Sequence, residues 1–159
     1  MSQTLWRIAT DTPHYQAHDM AGKGAEATGG RWNMENFPVT YTSTTRALAC
    51  LETVVHLNAG DLSLNRYLVE ITVPDAVWSA AQVAPTGHMV GWDAEPAGQV
   101  SIDYGTQWLT AFSSALLIVP SVIVPEENNV LINPGHTDSA SILAVKNRKW
   151  VYDARLKTP

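Results

Sequence analysis

Residues 38–57 read Pro-Val-Thr-Tyr-Thr-Ser-Thr-Thr-Arg-Ala-Leu-Ala-Cys-Leu-Glu-Thr-Val-Val-His-Leu. Segment 39–42 favours a β-strand because β-branched and aromatic side chains fit a pleated surface. The hydroxyl residues at 43–45 are good helix caps, and the apolar spacing that follows predicts a helix over 46–58. Gly60 is the expected end of that helix. This part of the chain is therefore predicted to be a strand that runs directly into a helix.

The predicted helix carries one carboxylate at the border of its apolar face. At 100° per residue, one apolar stripe comprises Leu48, Leu51, Val54 and Val55. Glu52 falls about 40° from Leu48, at the edge of that stripe. Periodicity alone favours a structural ion pair with an arginine, since such pairs are common. The alternative is a carboxylate at a cleft edge, where a low local dielectric strengthens its attraction for developing positive charge.

The rest of the chain adds short strands and a second helix. Alternation and turn residues predict further strands at 5–9, 67–73, 115–119, 122–124, 129–133 and 150–153. A helix is predicted at 102–112, and 11–30 is expected to be loop with one short helical turn. Many short strands with two or three helices indicate an α+β fold. No linker divides the 159 residues, so we predict a single compact domain over 1–159.

Composition argues against several classes of protein. The net charge is −5 and no run of Lys or Arg occurs, which disfavours a direct nucleic-acid partner. The longest apolar run, 115–119, is too short to span a bilayer, so no membrane association is expected. His14 and His18 lack a third ligand nearby, so no metal site is predicted. The single cysteine, Cys50, and the absence of a signal-like N-terminus lead us to expect a cytoplasmic protein.

A glycine-flanked arginine is the second candidate for chemistry. In Gly29-Gly30-Arg31-Trp32-Asn33, the glycines allow unusual backbone conformations and close approach of a ligand. Arg31 presents a planar fork of donors that suits phosphate or carboxylate. Trp32 either stacks on a ligand ring or anchors the loop in the core. The alternative is a structural turn in which Arg31 pairs with Glu52 or another acid.

Three further polar residues are candidates for a site. Tyr41 either stacks on a ligand or bonds through its hydroxyl, or it is ordinary strand material. Ser121 follows Pro120, which removes a ladder donor, and disturbed strands often direct a side chain into a site. Otherwise Ser121 is a surface serine at a bend. Asn133 is either a turn residue or a ligand donor.

Taken in order, these segments resemble the RES-domain family. The matching pieces are Gly-Gly-Arg-Trp-Asn (29–33), Pro-Val-x-Tyr-Thr-Ser (38–43), Ala-Leu-Ala-x-Leu-Glu (47–52), Val-Pro-Ser (119–121) and Leu-Ile-Asn-Pro (131–134). The opening Leu-Trp-Arg-Ile and the closing Tyr-Asp-x-Arg-Leu also fit, so the resemblance covers nearly the whole chain. The arginine, glutamate and serine that name the family would be Arg31, Glu52 and Ser121.

The resemblance implies the toxin of a bacterial type II toxin–antitoxin pair, with a fold similar to that of the ADP-ribosyltransferase toxins. It implies NAD as the substrate, no metal, and an Xre-type antitoxin that covers the active site. Growth arrest would follow from hydrolysis or phosphorolysis of the nicotinamide–ribose bond. Alternatively, ADP-ribose is transferred to a cellular protein. A non-catalytic nucleotide-binding module is the remaining alternative.

The implied chemistry gives each candidate a role. Glu52 would stabilise the oxocarbenium-like centre left by nicotinamide, or hold the ribose hydroxyls. Arg31 would grip the pyrophosphate or the nicotinamide ribose, and Tyr41 would stack on nicotinamide. The expected catalytic residues are Arg31, Tyr41 and Glu52, and the expected NAD-binding residues are Arg31, Trp32, Tyr41, Ser121 and Asn133. One departure is that the catalytic Glu comes late in ADP-ribosyltransferase toxins and early here.

Overall fold

A mixed seven-stranded sheet with helices on its faces forms the fold, which confirms the α+β class. The computed structural model describes residues 1–57 and 65–157. The strands are β1 (Ser2–Thr10), β2 (Thr40–Ser43), β3 (Arg66–Pro74), β4 (Gln82–Val83), β5 (Leu116–Pro120), β6 (Asn128–Ile132) and β7 (Leu143–Trp150). The helices are α1 (Lys23–Thr28), α2 (Arg46–Val54), α3 (Asp75–Ser79) and α4 (Gln99–Ala111), with 3-10 turns at Thr86–His88, Thr137–Ser141 and Ala154–Lys157.

The order of the strands divides the sheet into two wings. The order is β4-β5-β6-β2-β1-β3-β7, and every pairing is antiparallel except that of β4 with β5. Strands β1 and β3 pair along nine positions, whereas β1 and β2 are registered only at Trp6 and Ser43. One wing comprises β4, β5, β6 and β2, and the other comprises β1, β3 and β7. The two wings meet at a seam between β1 and β2 that is held by little backbone pairing.

Both faces of the sheet are covered by apolar side chains. Alternate residues of β1 point to opposite faces, so Leu5 and Ala9 belong to one core cluster while Trp6 and Ile8 belong to another. Helix α2 packs against the second of these clusters through Ala49 and Val54. Helix α4 contributes to a third cluster, whose buried members include Trp32, Trp108, Leu109, Leu117 and Leu131.

The central segment folds as its sequence predicts. Helix α2 begins at Arg46, and the hydroxyl of Thr45 caps it by accepting the N–H of Leu48 at 3.1 Å. The helix ends at Val54, short of the predicted end, and Asn58 and Gly60 lie outside the described residues. The strands predicted at 5–9, 67–73, 115–119 and 129–133 correspond to β1, β3, β5 and β6. The single short helix expected within 11–30 is α1.

Two predicted strands are wrong. Segment 122–124 is a turn, because the N–H groups of Ile123 and Val124 donate to the Ser121 hydroxyl and are not available to a ladder. Segment 150–153 shares only Trp150 with a strand, since the last strand, β7, ends at that residue. The alternation of β7 is hidden in the sequence because Leu143 and Val145 are exposed at this sheet edge while Lys146 is half-buried.

Gly105 allows α4 to lie directly on the backbone of Trp32, because any Cβ at this position would collide with the Trp32 carbonyl. We expect Gly105→Ala to lower the free energy of unfolding by about 3 kcal/mol, since overpacking outweighs the gain of about 1 kcal/mol in helix propensity. Gly87→Ala is the matched control, because a Cβ there meets open space and no positive φ is involved. Equal denaturation midpoints for the two variants would contradict this account of the packing.

Candidate active site

Glu52 lies where three elements meet. It sits near the C-terminal end of α2, half-buried, and its Oε1 accepts two hydrogen bonds. The Ser121 hydroxyl, just beyond β5, donates at 2.7 Å, and the side-chain amide of Asn129 in β6 donates at 2.6 Å. These donors satisfy one carboxylate oxygen and tie the helix to the far wing of the sheet.

Ser121 is held by the turn that follows β5. Pro120 ends this strand, and the Ser121 N–H donates to the carbonyl of Glu127 at 2.9 Å, which closes the turn into β6. The Ser121 oxygen accepts the N–H groups of Ile123 and Val124 at 3.1 and 3.2 Å, so its only proton goes to Glu52. Its exposed fraction is 0%. Ser121 and Glu52, two of the residues that the family resemblance names, are thus in direct contact.

Arg31 contacts a different acid from Glu52. Its guanidinium donates to the carbonyls of Trp92 and Ala94 at 3.1 and 2.7 Å, and to the carboxylate of Glu95 at 2.9 Å. The Arg31 side chain is 14% exposed, whereas that of Glu95 is 79% exposed. Of the two partners that the sequence leaves open, Arg31 takes the other acid. In this geometry Arg31 fastens segment 92–95 to the glycine turn, which comprises residues 29–33.

Tyr41 supports the glycine turn through its hydroxyl. The hydroxyl accepts the Trp32 N–H at 3.0 Å and donates to Oδ1 of Asn33 at 2.7 Å. A Cβ at Gly30 would lie 2.7 Å from this oxygen, so only glycine allows the approach. Burial raises the pKa of Tyr41 well above its ordinary value, although the bond from Trp32 and the charge of Arg31 oppose the rise.

Trp32 and Asn133 are both enclosed by the protein. Trp32 is 2% exposed, and its ring stacks against that of Trp92 with centroids 6.4 Å apart. Of the two roles left open for Trp32, this packing is that of a core anchor. The Asn133 amide donates to the carbonyl of Leu109 at 3.0 Å and accepts the N–H of Gly135 at 3.0 Å, which joins β6 to α4.

Arg7 is absent from the residues predicted from the sequence, yet it lines a cavity of about 110 Å³ at the seam between the wings. The cavity is lined by Arg7, Tyr15, Asp19, Lys23, Val39 and Tyr41, together with small residues of α1 and the turn before it. Burial lowers the pKa of Arg7, while the nearby Tyr15 and Asp19 partly oppose this effect. Within residues 1–57 and 65–157, no group is hydrogen-bonded to its guanidinium. A charged residue inside the apolar strand Leu-Trp-Arg-Ile-Ala is the signal that could have revealed it.

The described residues bear on two further requirements, those of a metal site and of a membrane span. Among the described residues, no three His, Cys, Asp or Glu side chains are grouped so as to hold a metal ion. Over the same part of the chain, no helix is long and apolar enough to cross a membrane.

Comparison with known proteins identifies the family. The family model of the RES domain matches residues 4–154. The chain belongs to the RES-domain family. A relative from a Sphingobium species, named Prs ADP-ribosylating toxin, is 60% identical over 157 residues, or 98% of each chain. This RES domain is also 36% identical over 154 residues to a protein named Toxin Res from Yersinia enterocolitica, across 96% of this chain and 99% of the relative. A Pseudomonas putida protein of the same name is 35% identical over 154 residues, with 96% and 98% covered.

Tyr41 makes the stability of this RES domain sensitive to alkaline pH. Because its pKa is raised in the folded state, the unfolded chain loses this proton first as the pH rises above about 10, and stability falls. Tyr41→Phe leaves the Trp32 N–H and the Asn33 oxygen without a partner, so we expect it to cost about 1–2 kcal/mol at neutral pH. Above about pH 10 the difference in the free energy of unfolding between the wild type and Tyr41→Phe should narrow by about 1.4 kcal/mol per pH unit, measured by urea denaturation. A gap that stays constant across this range would show that Tyr41 ionises equally in both states.

Proposed function

We propose that this RES domain is a toxin that cleaves the nicotinamide–ribose bond of NAD and transfers ADP-ribose to a protein. The observation that carries the proposal is the half-buried Glu52 carboxylate, fixed through one oxygen by two donors. The choice of a protein acceptor rests on the name of the Sphingobium relative, which calls that protein an ADP-ribosylating toxin. Hydrolysis and phosphorolysis of NAD are the competing outcomes of the test below.

The chemistry suits a carboxylate that is already held in place. Departure of nicotinamide takes the bonding electron pair and leaves positive charge at the ribose, as in glycoside cleavage. A fixed anion in a partly desolvated position stabilises this charge without reorganising. Nicotinamide leaves as a neutral molecule, and the acceptor nucleophile loses one proton as it bonds to the ribose. The free Oε2 of Glu52 is the group that faces the ribosyl cation.

The cavity at the seam supports a site for the NAD pyrophosphate. Arg7 and Lys23 both line it, and Arg7 keeps its donors free of other hydrogen bonds within the described chain. Its volume of about 110 Å³ accommodates a phosphate group but not a whole dinucleotide. Asp19 also lines the cavity, and it opposes the binding of anions while helping to keep Arg7 charged. We assign the pyrophosphate to Arg7, with Tyr41 beside it at the cavity wall. Arg7 lies on the face of β1 opposite to the one on which α2 packs, so this assignment requires that the dinucleotide pass the seam to reach Glu52.

Arg31, Trp32, Ser121 and Asn133 support the site indirectly in this proposal. Arg31 holds segment 92–95, Trp32 packs beneath it, and Ser121 orients Glu52. The relatives named as toxins also support an antitoxin partner, and an Xre-type protein that covers the seam would block access of NAD.

Glu52→Gln tests the proposed reaction. The variant keeps the size of the side chain but loses the charge, so we expect nicotinamide release to fall by about 10²- to 10³-fold with the fold intact. Products of wild-type turnover with labelled NAD would be analysed in buffer, in buffer with phosphate, and with cell lysate. Transfer to a protein is supported if lysate is required for label to appear in a protein band. Free ADP-ribose or its phosphorylated form without lysate would instead show hydrolysis or phosphorolysis.

Arg7→Gln tests the pyrophosphate assignment. Loss of a charge-assisted contact should weaken NAD binding by roughly 10- to 100-fold, measured by calorimetry. Arg148→Gln is the matched control, because Arg148 is an exposed arginine on the edge strand β7. A similar Kd of NAD for Arg7→Gln and Arg148→Gln would show that Arg7 does not bind the pyrophosphate. The Arg148 variant should bind NAD as the wild type does.

A further inference from the structure

Asn129 contacts Glu52 although no motif marks it in the sequence. Its Nδ2 lies 2.6 Å from Oε1 of Glu52, the shortest of the hydrogen bonds described for this carboxylate. Asn129 is registered opposite Ser43 of β2 on one side and Val119 of β5 on the other. Directly opposed residues share a face of the sheet, so Ser43 and Asn129 both point toward α2. The strand pairings thus fix the backbone that carries this amide.

Ser43 fixes the orientation of the Asn129 amide. The Ser43 hydroxyl donates to Oδ1 of Asn129 at 2.7 Å and is 3% exposed. A carboxylate oxygen only accepts, so the NH₂ group of Asn129 must be the end that faces Glu52. Rotation of the amide by 180° would turn Oδ1 toward the Glu52 carboxylate, and the Ser43 hydroxyl would have to accept from Nδ2 instead of donating to Oδ1. Asn129 therefore presents its donor to Glu52 in a single orientation.

Two donors converge on one oxygen of Glu52 and leave the other open. Ser121 and Asn129 both donate to Oε1, and Ser121 has no other proton to give. No hydrogen bond or ion pair to Oε2 is formed by residues 1–57 or 65–157. The two donors thus fix the orientation of the carboxylate through Oε1, and Oε2 is the oxygen available to a ligand.

We propose that Asn129, oriented by Ser43, is a positioning residue that sets the direction in which Oε2 of Glu52 meets the ribosyl cation. This inference rests on the proposed function. Without the Asn129 donor, the carboxylate can rotate about its last side-chain bond while Ser121 still holds it. Charge stabilisation depends on distance, and a displacement of about 1 Å at a reacting centre costs on the order of 10²-fold in rate. Because Asn129 acts through Glu52, its loss should affect turnover and not NAD affinity.

Two substitutions at Asn129 separate these effects. Asn129→Ala removes the donor, and Asn129→Asp keeps the shape and the bond from Ser43 but turns an anion toward Glu52. We expect kcat for nicotinamide release to fall roughly 10- to 100-fold in the alanine variant and further in the aspartate variant. The Kd of carba-NAD, an analogue that is not cleaved, should stay within about twofold of the wild-type value. Asn128→Ala, at the exposed neighbouring position, is the control and should leave kcat unchanged.

A double-mutant cycle tests the part assigned to Ser43. Ser43→Ala alone should lower kcat by less than Asn129→Ala, because the amide keeps its donor but loses its fixed orientation. In the Asn129→Ala background, Ser43→Ala should have no further effect on kcat. Additive losses would show that Ser43 acts independently of Asn129.

Several outcomes would overturn the inference. Wild-type kcat in Asn129→Ala, a loss confined to the Kd of carba-NAD, or unfolding of both Asn129 variants by circular dichroism would each do so. The last result would mean that the residue only stabilises the fold. If the wild-type protein releases no nicotinamide, the proposed function itself fails and this inference fails with it. If the wild type releases nicotinamide and only the Asn129 prediction fails, the proposed function stands.

Discussion

The seam between β1 and β2 is the constraint on which the rest of the site depends. The two strands are registered at one pair, Trp6 and Ser43, so the wings of the sheet are joined by little backbone bonding. Side chains supply the missing connection. Helix α2 packs on Trp6 in one wing, while Glu52 in the same helix is bonded to Ser121 and Asn129 in the other. The proposed catalytic carboxylate is thus also a tie across the sheet.

The three residues that the family resemblance names fall into two groups. Glu52 and Ser121 are in direct contact, whereas Arg31 is bonded to segment 92–95. Two other cations, Arg7 of β1 and Lys23 of α1, line the cavity at the seam. In this geometry Arg31 supports a loop, and under the proposed function the strand residue Arg7 supplies charge to the ligand.

How much could be predicted from the sequence depends on whether the signal was local. The cap at Thr45 and the start of α2 follow from short-range rules, and the structure confirms them. The predicted apolar stripe is only partly right, because the helix ends at Val54 and Val55 is 49% exposed. The partner of Arg31 could not be predicted, because Glu95 lies 64 positions away and no pattern links the two. Asn129 was missed because a polar residue in a strand resembles any solvent-facing one until its cross-strand partner is known.

The Ser121 turn also decides which reagents can reach this protein. Its oxygen accepts two backbone donors, its proton goes to Glu52, and none of its surface is exposed. Ser121 is therefore not placed to act as a nucleophile, and sulfonyl fluorides, which sulfonylate activated serines, have no route to it. Under the proposed reaction, an inhibitor would place a positive charge against Oε2 of Glu52, as in a cationic mimic of the flattened ribosyl ring.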